Sequence, residues 1–458
     1  SVGSGASALS TTITTFGSQT ITNGGTAIAT SINDSATQDI ASGGKSVDAI
    51  INADGTQNIA SGANVSGTQL NSGGIQNIAS GAVATTTQVN SGAVQTVSAG
   101  ASVLSTTVTS AGTQTIANGG TASATVLNSG AIQNVSSGGT AINTVVNDSG
   151  NQLVNGGAIV ISTSINSGGT QTLLNGANVS NTVVNNGATQ AVGNSATAFS
   201  TTVASAGVQS VLSGGSAVGT TVASAGSQVV QLGATDTSAT ISLGGLQIVS
   251  GAANNTTIAG TQNIASGGSV MSAVINSAGV QNIANGANVS VTTINASATQ
   301  NITSGGTALD ATINSGGTQN IASGANVSGT QLNSGGSQNI ASGAIATTTQ
   351  VNSGAVQTVS AGAQALSTTI TSAGSQNITS GGSAANTFIN NGGVQTVASG
   401  ATDASATISS GGVQRVSGIA QNTVVSGTQN ITSGGSVTSA TLDFDGIQNI
   451  SAGANALN

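Results

Sequence analysis

The stretch GGTALDATINSGGTQNI, residues 305–321, contains every recurring feature of the chain. Its closing residues, Gln319, Asn320 and Ile321, have counterparts at a fixed distance: Gln300 and Gln338 stand 19 positions to either side. Followed outward, glutamine in this register steps by 19 from Gln19 to Gln247, steps once by 15 to Gln262, and resumes to Gln414. A second step of 15 leads to Gln429 and the series ends at Gln448, making 24 copies of one unit in 458 residues. A fixed period of about 20 residues, rich in glycine and β-branched side chains, predicts a solenoid in which each repeat is one coil stacked on the last.

Aligned on the glutamine, the units resolve into columns. Two positions after it stands an aliphatic residue in all 24 units, from Ile21 through Ile78 and Val97 to Ile450. Six positions before it, in the 22 full-length units, is another aliphatic, such as Ile32, Leu70 or Val108, and eight before is Thr or Ala, such as Thr68 and Ala311. Strand side chains alternate faces with period 2, so these columns and the glutamine point inward and the mixed polar positions between them point outward. Gly occupies the fifth position after the glutamine in 21 of 24 units, the exceptions being Ser195, Ala252 and Ile419, and that column reads as a corner. In the two short units, Ile258 and Val425 lie four rather than six residues before the glutamine. Two residues are lost on each side of the aliphatic, which keeps the pleat in phase where an odd loss would turn it inside out.

An inward amide is costly unless its donors and acceptors are matched. Coils about 4.8 Å apart bring equivalent amides within reach of one another, so the column Gln262, Gln281, Gln300, Gln319, Gln338 and Gln357 is read as a structural ladder. The competing arrangement has each amide capping corner carbonyls of its own turn. A single coil buries two or three aliphatic side chains, too few to offset the ordering of its own residues, so stability must be shared between neighbours. Residues 1–458 are accordingly expected to form one continuous all-β domain, cut from a longer protein because both ends stop inside the repeat without a polar capping unit.

Chemistry-bearing residues are nearly absent. The chain has no Cys, His, Trp, Tyr, Pro or Glu, and its only basic residues are Lys45 and Arg415. Ten Asp give a net charge of -8, which argues against nucleic acid or an anionic membrane as partner. No apolar run approaches the length of a membrane-spanning helix. No catalytic residues, metal ligands or cofactor site are read: Asp34 and Asp54 at neighbouring corners, and Asp443 and Asp445 around Phe444, read as solvated loop carboxylates. Asp236 and Asp403 fall in an otherwise small inward column just before the two short coils and read as caps of that irregularity. A near copy of residues 56–118 returns at 318–380, so whole blocks have been duplicated.

The pattern Gly-Gly-x-Ala-x-x-Thr-x-Ile-x-x-Gly-Gly-x-Gln-x-Ile, visible in residues 305–321, resembles the repeats of AIDA-type self-associating autotransporters, the group of antigen 43 and the diffuse-adherence adhesin. The resemblance spans essentially the whole chain. It implies a right-handed parallel β-helix of about 24 coils, exported by a C-terminal barrel and displayed on the bacterial cell surface. It also implies roles in cell aggregation, biofilm formation or adherence, and O-linked heptose on Ser and Thr. The translocating barrel is absent from this sequence, and the repeats are too poor in charge for aggregation through interlocking charged side chains.

The first functional reading is therefore an adhesin-like repeat that binds a second copy of itself or a host or surface receptor. The outward column Asn263, Asn282, Asn301, Asn320 and Asn339 is its candidate self-association stripe. The alternative is a passive spacer or matrix fibre presenting a binding segment outside this chain. Ice or glycan binding through outward Thr rows, as around Thr86 and Gln88, is weakened by the mixed column seven before the glutamine. An enzyme is disfavoured because the carboxylates are dispersed.

Overall fold

The computed structural model describes residues 1–458 except Ala53, Ser72, Ser91 and Asn458. The described residues contain strands and turns and no helix. They fall into two compact units, Ser1–Thr237 and Ser238–Asn458, of the same build.

Each full-length coil contributes three short strands. In one coil of the first unit these are Asn64–Ser66, Gln69–Leu70 and Ile75–Ile78. Each pairs in parallel with its equivalent one coil on, in strict column register: Val65 with Ala84, Leu70 with Val89, Gln76 with Gln95. The second unit repeats the pattern, with Val289 paired to Ala308, Ile294 to Ile313 and Gln300 to Gln319. Each unit is thus a β-solenoid walled by three parallel sheets. A repeat this short, with β-branched inward columns, folds this way because a coil has nowhere to bury its aliphatics except against its neighbours.

The three-residue strand is not separable in the sequence from the turns around it. It carries only one inward residue, Val65 or Ala84 in two successive coils, so period-2 alternation has nothing to repeat. The other two strands match the sequence expectation, with the aliphatic columns enclosed except at the last coil: Leu70, Ile78, Val89 and Val97 are all solvent-inaccessible, whereas Leu442 and Ile450 are exposed. The corner column adopts left-handed backbone, as at Gly62 with φ 74°, and Ser195 occupies it at φ 57° where glycine is missing.

The short coils lose their residues from turns and not from strands. A full coil spends four residues, 60–63, between its four-residue strand and the next three-residue strand; the coil before Gln262 spends two, Ser250 and Gly251. The following turn likewise shrinks to Ala259 and Gly260, ahead of the strand Thr261–Ile264. Pairing passes through unbroken, Ile241 with Ile258 and Gln247 with Gln262. A Cβ on Gly260 would fall on the carbonyl oxygens of Ser242 and Gly245, so only glycine fits the shortened turn.

Candidate functional surfaces and the family of the chain

Inside the first unit, every register glutamine from Gln38 to Gln228 donates Nε2–H to Oε1 of the glutamine one coil earlier, at 2.7–2.9 Å. The second unit continues the same way from Gln262, which donates to Gln247, up to Gln448, at 2.6–2.8 Å. Gln262, Gln281, Gln300, Gln319, Gln338 and Gln357 all lie in this stack with no solvent exposure. The acceptor oxygen also receives a hydroxyl in many coils: Thr125 donates to Gln114 at 3.1 Å and Thr368 to Gln357 at 3.2 Å. The buried Oγ1 atoms of Thr256 and Thr423 in the short coils, and of Thr292 in a full-length coil, have no hydrogen-bond partner.

Asp403 interrupts this neutral interior with a carboxylate. Its Oδ1 accepts from Gln395 Nε2 at 3.1 Å and its Oδ2 from Gln414 Nε2 at 2.8 Å, while each of those amides also donates along the ladder. Burial pushes its pKa from the ordinary 3.8 up to about 6, partly offset by hydrogen bonds from Gln395, Gln414 and Thr387. Asp236 is equally buried in the first unit, where Gln228 Nε2 donates to its Oδ1 at 2.9 Å. These two aspartates saturate amide donors that an Ala or Val in the same column would leave unused.

The outward Asn column is also hydrogen-bonded lengthwise. Asn282 donates Nδ2–H to Asn263 Oδ1 at 2.8 Å, Asn301 to Asn282 at 2.9 Å, Asn320 to Asn301 at 3.0 Å and Asn339 to Asn320 at 3.0 Å. Asn263 through Asn320 are half-buried and Asn339 is exposed. Beside the stripe, Ala322 and Ala341 floor a shallow groove of about 320 Å³ walled by Asn301, Asn320 and Asn339. The first unit carries the same groove, about 420 Å³, along Asp39, Asn58 and Asn77. A further Asn ladder escapes the sequence reading. Five positions before the glutamine, Asn295, Asn314, Asn333 and Asn352 each donate to the Asn one coil earlier at 2.8–3.3 Å, beginning on Asn276. Asn ahead of Ser-Gly-Gly, as at residues 314–317, is also a common turn former, and that local role hides the stacking between coils.

No protein-family model matches the chain, and no curated protein matches it. Among solved structures, the crystal structure of the TibC-catalyzed hyper-glycosylated TibA fragment, residues 55–350, is 30% identical, covering 69% of this chain and 99% of the fragment, with a TM-score of 0.45. The identity sustained over nearly the whole of that fragment, rather than the superposition score, decides the family. The chain belongs to the AIDA-type autotransporter passengers. Two structures of the PL6 family alginate lyase AlyGC, one of them a point mutant, align at 8% identity each. They cover 100% and 98% of this chain and 96% and 97% of their own, with TM-scores of 0.23 and 0.16, and carry no inference about chemistry.

For an autotransporter passenger, the useful surfaces are the outward columns. Among the described residues no group of three or more carboxylate, His or Cys side chains is placed to hold a metal ion. Asp443 accepts a hydrogen bond from Ser426 at 3.3 Å, and Asp34, Asp54 and Asp445 occupy left-handed turn positions. No helix among them is long and apolar enough to cross a membrane.

Proposed function

We propose that this passenger is displayed on the bacterial cell surface and joins cells by pairing with a second copy of itself along the Asn263–Asn339 stripe. The supporting observation is the lengthwise bonding of that stripe. Each interior amide spends one N–H and one lone pair on its neighbours, which fixes its orientation and leaves the second N–H and second lone pair for a partner. Rows of weak contacts at strand spacing add through multivalency, and pre-ordering lowers the entropy each contact must overcome. A net charge of only -8 over 458 residues keeps long-range repulsion between copies weak, and salt screens what remains. A host or surface receptor presenting a similar polar edge would use the same stripe.

The TibA fragment is described as hyper-glycosylated. Carried to this chain, O-linked heptose on exposed Ser and Thr belongs to the same reading, and intact-mass analysis of protein from its native source tests it by sugar-sized mass steps.

Sedimentation velocity tests the pairing. The native chain should associate with rising concentration, and Asn301→Asp, alone and with Asn282→Asp and Asn320→Asp, should shift it toward monomer with unchanged far-UV circular dichroism. Unaltered sedimentation in the triple variant would remove the stripe from the mechanism. A native chain that stays monomeric at high concentration and binds no cells would favour the passive spacer.

A further inference from the structure

A second, independent surface lies at the outer corner between the three-residue and two-residue strands. In the first unit Thr86 and Ser105 on one wall and Gln69, Gln88 and Thr107 on the other enclose a groove of about 490 Å³. Its counterpart in the second unit, about 310 Å³, is lined by Thr348, Gln350, Ser367 and Thr369, each 262 positions after its equivalent. The concavity has a backbone cause. The linking residue of each coil is left-handed, with φ 52° at Asp48, 70° at Gly67, 54° at Thr86 and 58° at Ser105, and this folds the outer faces of the two strands toward each other.

The lining selects by chemistry. Hydroxyls and primary amides both donate and accept, so the walls match a ligand whose groups do the same. One carboxylate overlooks the first-unit groove: Asp48 lies over Gly67, in the space a Cβ would fill. Neither Lys45 nor Arg415, the only basic residues in the chain, lines either groove, so a polyanion finds no counter-charge. Beneath the walls, the Thr68 and Thr87 hydroxyls are committed inward to Gln57 and Gln76, which leaves a fixed floor under adjustable wall residues. The coils advance by about 4.8 Å, close to the advance of one sugar ring along an extended β-linked chain, so successive rings would meet the same amide and hydroxyl on successive coils.

We propose that each groove binds a neutral oligosaccharide, its chain lying along the direction of coil stacking. No aromatic residue lines either groove to stack on a sugar ring, so each groove binds weakly. The walls sit nine and seven positions before the register glutamine, on different columns from the Asn stripe, so this inference stands or falls apart from self-association.

The test is affinity electrophoresis of the full chain in native gels cast with mixed-linkage β-glucan, hydroxyethyl cellulose, dextran or polygalacturonate. Retardation is expected in the two β-linked neutral glucans, with little in dextran and none in polygalacturonate. Gln88 and Gln350 are exposed, so Gln88→Ala and Gln350→Ala should leave circular dichroism unchanged. Each should roughly halve retardation by removing one of two like grooves, and the pair should remove most of it. The Asn301→Asp variant should bind as the native chain does. Absence of retardation in every neutral polysaccharide, equal retardation by polygalacturonate, or undiminished retardation of the double variant would each overturn the proposal.

Discussion

Replacing Asp403 by Asn should flatten the pH dependence of the coils around it. In the native chain the carboxylate is 1% exposed and held by neutral amides; Arg415, the nearest basic residue in sequence, lies on the outward, exposed side of its strand. Its pKa in the folded chain, about 6, exceeds the ordinary 3.8 that it recovers on unfolding. Between those values the folded state holds a proton that the unfolded state has lost. Stability is therefore greatest below the lower value and declines as pH rises through the upper one. At about 1.4 kcal/mol per pH unit, the gap is worth about 3 kcal/mol. Lowering the pH from 7.5 to 4 should slow local opening of residues 395–431 by roughly two orders of magnitude in amide hydrogen exchange, after correction for intrinsic rates. The Asp403→Asn side chain cannot ionise, and the variant should show no such change, whatever its absolute stability after an N–H replaces one acceptor oxygen. The comparison also cancels the contribution of surface aspartates. If native and variant chains show parallel protection from pH 4 to 7.5, the carboxylate is not desolvated in the interior and the reasoning fails.

Gln300→Met should cost about 2 to 6 kcal/mol, because it orphans the Gln281 acceptor and the Gln319 donor together; urea unfolding followed by circular dichroism measures it. Thr256→Val should be neutral or stabilising by up to about 1 kcal/mol, since that hydroxyl has no partner to lose, whereas Thr349→Val should cost about 1 kcal/mol for its bond to Gln338. Gly260→Ala should destabilise the second unit by about 3 kcal/mol, visible as a lowered thermal midpoint, because the added methyl meets two carbonyl oxygens.

Much of this architecture is legible in the register of one residue type. Gln recurring at 19 positions, with an aliphatic two residues later, implies stacked coils from spacing alone, and the pairing of Gln76 with Gln95 has that register. Features carried by a single residue per coil are not legible: one inward Val or Ala defines the three-residue strand, and Asn at the turn names both a local turn and a ladder. Thr86 and Gln88 are visible in the sequence as outward polar residues in a mixed row that weakens a glycan reading, but the concavity they line is hidden for a different reason. Its walls come from positions that look mixed in the sequence, and only the left-handed bend at Asp48, Gly67, Thr86 and Ser105 turns them to face one another. The Asn stripe is visible as a column, but its internal bonding, which decides how much of each amide is left over, depends on side-chain rotation that no spacing encodes.

The glutamine column has a sense of travel. Within each unit the stacked amides give their hydrogen toward the amino-terminal side and offer their oxygen toward the carboxy-terminal side, so small dipoles of one sign line up head to tail and strengthen one another. A coil added with its amide turned over would set hydrogen against hydrogen on one face and oxygen against oxygen on the other. The mistake would be felt by both neighbours at once, and one flipped member could be accommodated only by reversing every amide beyond it. A coil joining the carboxy-terminal end therefore meets a waiting oxygen and has one acceptable orientation, copied from the coil before it. Conformational order is in this way handed along the axis by a residue that touches neither solvent nor partner.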